Sequence, residues 1–318
     1  MSEQHVILVT TYPFGSPNDT PLRQLEGQNV YFNGTGREYT RDELVARLEE
    51  DNPTIIIAGT EKYTPEVLKH APRLRMISRV GVGLDSVDLD ECKRLGITVC
   101  YTPLAPSNAV AELTVAEMIF ALRRVRNVDE DLRNGTWNRH IGLEIRSCDV
   151  GIIGFGRIGR LVAQKLSGLK PRRIFVNDID PSKCQNAERC ELESKLQIIC
   201  NCDVITLHIP YSKANHHFID FPEFRLMKPT AVLINTSRGG VVNETALRDW
   251  LQDNPTAYAC VDVYASEPYT GALLGERNTI LTPHLGSCST KSRFDMEVGA
   301  TEEALNFING KPFNNKVC

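Results

Sequence analysis

The sequence predicts an α/β protein built from two doubly wound parallel sheets. Three observations carry that expectation. Short β-rich runs alternate with helical patterns along nearly the whole chain, the order that parallel sheets require. The pattern restarts near Ser107, and 318 residues exceed what one small core ordinarily organises. Between an apolar run and an amphipathic one stands a glycine-rich turn, in "VGIIGFGRIGRLVAQKL".

Each element can be justified in order. "VILVTT", "TIIIAG", "RMISRVG" and "ITVCYT" are the strand-like runs of the first third, enough for one small doubly wound sheet. Among the helical patterns between them is "TRDELVARLEE", where Thr40 and Glu43 form a capping box. "SNAVAELTVAEMIFALRRV" reads as a long apolar helix capped by Ser107 or Asn108, and "RNGTWNRHIGLEIRSC" as a polar, irregular connection. Six strands follow: "DVGIIG", "RIFVND", "DVITLHI", "AVLINTS", "AYACVDVY" and "TILTPH". "KSRFDMEVGATEEALNFING" then reads as a helix followed by a polar tail. No internal repeat or low-complexity tract interrupts the series.

Composition narrows the function classes. Apolar residues make up 42% and charged residues 24%, values of an ordinary soluble globular chain. A net charge of -4 argues against nucleic acid and against acidic membrane surfaces as partners. No segment approaches the ~18 uninterrupted apolar residues of a membrane span. "MSEQHVILVTTYPFG" has a polar start and too short an apolar run for an export signal. The 10 cysteines are scattered, with only a C-x-C at Cys200 and Cys202. That points to reduced thiols in cytoplasm and away from a metal site.

Gly154, Gly156 and Gly159 make a G-x-G-x-x-G pattern after a strand and at the start of a helix. Gly154 permits the tight turn, Gly156 lets backbone approach a pyrophosphate, and Gly159 lets helix pack on strand. Free N–H groups at the positive helix end would then hold phosphates. Asp178, 19 residues beyond Gly159, stands where an acid accepts from an adenosine ribose. No arginine immediately follows it to welcome a 2′-phosphate, and Arg172 and Arg173 precede the strand, so NAD is favoured over NADP.

Four further residues share one sheet edge. Arg238 ends the fourth of the six strands, Asp262 the fifth with Glu267 just beyond, and His284 the sixth. Ligands of open α/β sheets bind outside the carboxyl ends of strands. An arginine fork there can grip a carboxylate and polarise the adjacent carbonyl. A histidine can exchange the proton that must accompany hydride transfer, and a neighbouring carboxylate orients its ring and favours imidazolium.

These motifs resemble those of the D-2-hydroxyacid dehydrogenases, most nearly the phosphoglycerate dehydrogenase branch. "SRVGVGLDSVDL", "NAVAELTV", "GIIGFGRIGR", "LHIP", "NTSRGGVV", "DVYASEP" and "TPHLGS" occur in the family's order over nearly the whole length. The resemblance implies catalytic roles for Arg238, Glu267 and His284. It implies pyrophosphate contacts at Arg157 and Ile158, a ribose acid at Asp178 and a carboxamide partner in Asp262. Ile209, Thr236 and Ser237 would line the cofactor, and the N–H groups of Val80-Gly81-Val82 would hold the substrate carboxylate. It further implies a Rossmann NAD-binding domain, 106–287, inserted in a smaller flavodoxin-like substrate domain, 1–105 and 288–318, around a cleft that closes on ligand. A homodimer through the nucleotide domain is the family's habit.

Some positions depart from the branch. No regulatory domain is expected after Cys318. Arg79, Lys62 and Arg139 are the candidates for a substrate phosphate, with Lys62 where an arginine is the expectation. The resemblance favours 3-phosphoglycerate and leaves other anionic 2-oxo acids open: phosphonopyruvate, glyoxylate or hydroxypyruvate. Formate enzymes carry glutamine where this chain has Glu267. An NAD-sensing, corepressor-like binding protein is the alternative from another class.

Overall fold

The computed structural model describes residues 5–16, 18–185 and 187–318. The chain divides into two units, Met1–Pro106 with Ser289–Cys318, and Ser107–Cys288. Both are parallel α/β sheets.

The first unit begins β1 (Val6–Val9), α1 (Thr20–Gln24), β2 (Asn29–Phe32), α2 (Arg41–Asp51), β3 (Ile55–Ala58), α3 (Pro65–Leu68), β4 (Met76–Arg79), α4 (Leu89–Leu95) and β5 (Thr98–Cys100). The strand order is β2-β1-β3-β4-β5, the flavodoxin-like winding. Alternate residues enter two separate cores, Leu8, Ile56 and Ile77 on one face and Ile7, Ile57 and Met76 on the other. Such two-sided burial is why these strands read as continuous apolar runs. β2 escaped the sequence reading because three of its four residues are exposed at the sheet edge. The Thr40 capping box is present, with both reciprocal bonds made.

The second unit runs α5 (Ser107–Leu122), α6 (Val125–Arg133), β6 (Asp149–Ile153), α7 (Arg157–Leu169), β7 (Arg173–Asn177), β8 (Glu191–Leu192), α8 (Lys195–Asn201), β9 (Val204–Leu207), α9 (Phe221–Leu226), β10 (Val232–Asn235), α10 (Glu244–Asp253), β11 (Tyr258–Val261) and β12 (Thr279–Leu281). The sheet has seven strands in the order β12-β11-β10-β9-β6-β7-β8. Six were expected; the addition is β8, two exposed residues with no apolar run to announce them. The winding reverses between β6 and β9, the topological switch point where nucleotides bind in this architecture.

Two local expectations need correcting. Ser107 is already helical rather than the cap of α5. The helix also stops at Leu122, short of the Val125 that the sequence pattern reaches, because Arg124 adopts a left-handed φ of 51°. Beyond that break the Arg124 side chain donates to Thr256 O, and Asn127 to Arg277 O. These bonds draw the chain into α6.

The last helix, α11 (Thr290–Ile308), returns to the first unit. Met296, Ala300 and Ala304 pack into the core beside Ile7 and Val9. The segment read as a polar tail pairs with β5 instead: Val99 N donates to Cys318 O, and Val317 N to Val99 O.

Candidate active site

Within the second unit, the glycine loop joins β6 to α7. Gly154 has φ +94°, and a Cβ there would stand 2.4 Å from His208 O. A Cβ on Gly159 would stand 2.1 Å from Gly154 O, so the first turn of α7 closes directly on the loop. Gly156 caps the helix with no side-chain hydrogen bond, and a Cβ there meets no described protein atom within 4 Å. The open backbone at Gly156 and the uncapped N–H groups from Arg157 onward fit a pyrophosphate. Arg157 is exposed and Ile158 partly buried against the core. Ile209 packs over the loop, its Cγ2 2.9 Å from the position of a Gly154 Cβ.

Asp178 follows β7 and fastens this loop, accepting from Phe155 N at 2.8 Å and Asp180 N at 3.0 Å. Burial pushes its carboxyl up, but these donors and the Lys183 ammonium at 3.2 Å outweigh burial and hold it below its ordinary value. Lys183 went unnoticed in the sequence, five positions on in a single 3-10 turn, Pro181–Cys184. Arg172 and Arg173 lie at the opposite end of β7 and fork onto Asp149, with contacts of 2.6 and 2.7 Å.

The residues expected to be catalytic, Arg238, Glu267 and His284, sit on turns after β10, β11 and β12. His284 holds φ 52°, an uncommon conformation for a residue with a Cβ. Its N–H donates to Asp262 O at 2.8 Å, and its Nδ1 stands 2.9 Å from Glu267 Oε2. Glu267 Oε1 accepts from Tyr264 N at 2.9 Å. Burial pushes the Glu267 carboxyl up, yet His284, the Tyr264 N–H and the Arg238 charge together keep it below its ordinary value. Arg238 donates to Ser237 O, while Asn235 ties the turn by donating to Arg238 O and accepting from Ser237. Thr236 reaches Thr114 on α5, hydroxyl to hydroxyl, at 3.0 Å.

Gly239 brings two of these turns together. A Cβ on it would lie 1.9 Å from the Tyr264 carbonyl carbon and 2.3 Å from Ala265 N, so the backbones meet directly. This pairing of 238–240 with 264–265 sets Arg238 within electrostatic reach of Glu267. Asp262 is buried beneath the histidine turn and accepts from Thr282 Oγ1 (2.6 Å), Leu285 N (2.6 Å) and Gly286 N (2.9 Å). Burial raises its carboxyl pKa despite those donors. Asn235, Gly239 and Thr282 were missed; only the doubled glycine of "SRGG" offered a signal.

The first unit holds the other candidates. Val80 N donates to Ala58 O and Gly81 N to Thr102 Oγ1, so two of the three turn N–H groups expected to face a carboxylate are committed inside the unit. The Arg79 side chain is buried and donates to the carbonyl of Val80, folded back on its own turn. Lys62 is exposed, between the buried Glu61 and Tyr63. Arg139, in the second unit, is exposed on an irregular segment.

A doubly wound nucleotide sheet whose carboxyl edge carries Arg238, Glu267 and His284 defines a class: oxidoreductases that take hydride to or from a nicotinamide. Residues 115–286 match the family model described as D-isomer specific 2-hydroxyacid dehydrogenase, NAD binding domain. The chain is 32% identical over 285 residues to a glyoxylate reductase of Thermococcus gammatolerans, covering 86% of this chain and 85% of that one. It is 31% identical over 282 residues to a D-3-phosphoglycerate dehydrogenase of Methanocaldococcus jannaschii, covering 87% of this chain and 54% of that one. Among solved structures, the TT0316 protein of Thermus thermophilus superposes with a TM-score of 0.88 at 28% identity, over 98% of this chain and 99% of that one. The chain belongs to the D-isomer specific 2-hydroxyacid dehydrogenase family, and its cofactor is NAD.

Proposed function

We propose that Arg238, Glu267 and His284 interconvert a (R)-2-hydroxy acid and its 2-oxo acid. The observation that carries this reading is the 2.9 Å contact between His284 Nδ1 and Glu267 Oε2. It commits one ring nitrogen to an orienting carboxylate and leaves Nε2 for the substrate. NAD, when bound, supplies or accepts the hydride. Arg238 grips the substrate carboxylate and polarises the adjacent carbonyl. His284 Nε2 gives a proton to the carbonyl oxygen during reduction, and neutral His284 takes it back during oxidation.

The nucleotide is held by the N–H groups of Arg157 and Ile158 over Gly154, Gly156 and Gly159, with Asp178 toward the ribose. Ile209, Thr236 and Ser237 line the nicotinamide side, and Asp262 serves its carboxamide. Residues of the smaller unit form the substrate domain, although Val80 N and Gly81 N of its turn are already given to Ala58 O and Thr102 Oγ1. The distal group of the substrate separates the readings. A phosphate calls for cations, and with Arg79 turned onto its own backbone only Lys62 and Arg139 of the named candidates are exposed. That supports a short 2-oxo acid of the glyoxylate or hydroxypyruvate type over a phosphorylated one.

Two further readings complete the proposal. A second copy of the chain covers the exposed apolar side chains Phe120, Trp137 and Ile141, which are 50%, 83% and 98% accessible. All ten cysteines are free, which supports residence in the reducing cytoplasm.

NADH oxidation across glyoxylate, hydroxypyruvate, pyruvate, phosphonopyruvate and 3-phosphohydroxypyruvate tests the substrate class. His284→Ala tests the mechanism. Turnover should fall by about 10²–10⁴ with NADH affinity nearly unchanged. Unchanged turnover refutes the assignment.

A further inference from the structure

One buried acid stands beside this machinery without a part in it. Glu117 interrupts the apolar run of α5, on the stripe it shares with Val110, Thr114 and Ala121. The residue is 3% accessible, and neither carboxyl oxygen receives a hydrogen bond. Thr282 and Asp262 both act on its carboxyl. The only hydroxyl proton of Thr282, however, is given to Asp262 Oδ1 at 2.6 Å.

The donor count decides which acid carries charge. Asp262 collects Thr282 Oγ1 and the N–H groups of Leu285 and Gly286, all of which favour a carboxylate. Glu117 collects none, and a second buried anion beside Asp262 would be repelled. A proton on Glu117 removes both problems. The protonated acid can donate to the spare lone pair of Thr282 Oγ1, making a chain from Glu117 through Thr282 to Asp262 and the 284–286 turn.

We propose that Glu117 is a positioning residue, held as a neutral acid that through Thr282 fixes the Asp262 carboxylate and the turn bearing His284. Deprotonation of Glu117 would reverse this arrangement. The Thr282 proton would then be contested by two carboxylates, and Asp262 would loosen from Leu285 and Gly286. The titratable groups coupled to Glu117 are Asp262, Cys260 on β11 and Tyr264 beyond it, none of them a cation. Burial first and Asp262 second push the Glu117 carboxyl up to about 8, so the change falls at mildly alkaline pH.

The inference rests on the reading of Asp262 as a nicotinamide contact, and the test separates the two. NADH affinity is measured by fluorescence titration from pH 6.5 to 9.5 for the wild type, Glu117→Gln and Glu117→Leu. The wild type should lose about tenfold in affinity across pH 8. Glu117→Gln, neutral at every pH and still able to donate, should bind as the wild type does at pH 7 and show no alkaline loss. Glu117→Leu should bind weakly throughout. In hydroxy-acid oxidation the alkaline limb of kcat should likewise disappear in Glu117→Gln.

Independently of any variant, ¹³C-carboxyl-labelled glutamate in the wild type should show one carbon titrating near pH 8. Absence of such a carbon overturns the proposal, as does an alkaline loss retained in Glu117→Gln. A wild type that binds no NADH at any pH sinks the cofactor reading instead. One that binds it with pH-independent affinity sinks only the role of Glu117.

Discussion

Adding one methyl group at Gly156 and, separately, at Gly159 distinguishes a glycine kept for its ligand from a glycine kept for its fold. At Gly159 the new Cβ would lie 2.1 Å from Gly154 O, whereas real Cβ atoms essentially never come within 3.0 Å of such a neighbour. Backbone lies on both sides, so α7 must retreat from the loop by about 1 Å. Overpacking of that kind costs ~1–3 kcal/mol. In a unit of this size it lowers Tm by about 2–12 °C. The retreat also carries the N–H groups of Arg157 and Ile158 away from the pyrophosphate. Losing one or two charge-assisted bonds raises the NADH Kd by roughly 10–100-fold.

At Gly156 φ is -77°, open to alanine, and the Cβ meets no described protein atom within 4 Å. Gly156→Ala should therefore keep its stability within about 0.5 kcal/mol of the parent. Its Cβ would still occupy the volume through which a pyrophosphate approaches, so NADH binding should weaken to a similar degree. Thermal unfolding monitored by circular dichroism and NADH fluorescence titration read the two quantities separately. Gly156→Ala with parental NADH affinity would refute the reading of this loop as the phosphate cradle. Gly159→Ala with parental Tm would refute the packing argument.

Other perturbations act elsewhere. Gly239→Ala would set a Cβ 1.9 Å from the Tyr264 carbonyl carbon and part the turns that carry Arg238 and Glu267. We expect a raised KM for the 2-oxo acid and a lowered kcat with NADH affinity little altered, measured by steady-state kinetics. Asp149 is pushed up by burial, but the Arg172 and Arg173 forks outweigh this and depress its pKa. The folded state thus favours its charged form, giving stability that is complete above the unfolded carboxylate pKa of about 3.9 and lost as pH falls through the folded value. Asp149→Asn should therefore trail the parent fully at pH 6, with the gap narrowing below pH 4, as read by urea unfolding. A gap that widens on acidification contradicts the assigned direction.

Much of this was legible because it depended on local pattern. A strand buried on both faces is nearly continuous in apolar residues, and β1, β3, β6, β9 and β10 announce themselves for that reason, with a polar residue only at Asp149, Thr206 and Asn235. The exposed β2 and the two-residue β8 lack that constraint, since their pairing comes from neighbours already in place. The end of α5 is similar. The helical pattern extends to Val125, and tertiary bonds from Arg124 and Asn127 decide where the helix breaks.

By itself, the sequence determined the alternating α/β order, the glycine loop at the head of α7, and the placing of Arg238, Asp262 and His284 at strand ends. Those follow from periodicity and from steric rules that act within a few residues. Tertiary structure alone decided that Glu267 reaches His284 Nδ1, that Gly239 lets two turns touch, and that Asp262 collects the N–H groups of Leu285 and Gly286. It also placed Glu117 behind Asp262 without a hydrogen bond of its own. Hydrogen bonding and burial act between residues far apart in the chain, and no local pattern in the sequence records which of them will meet.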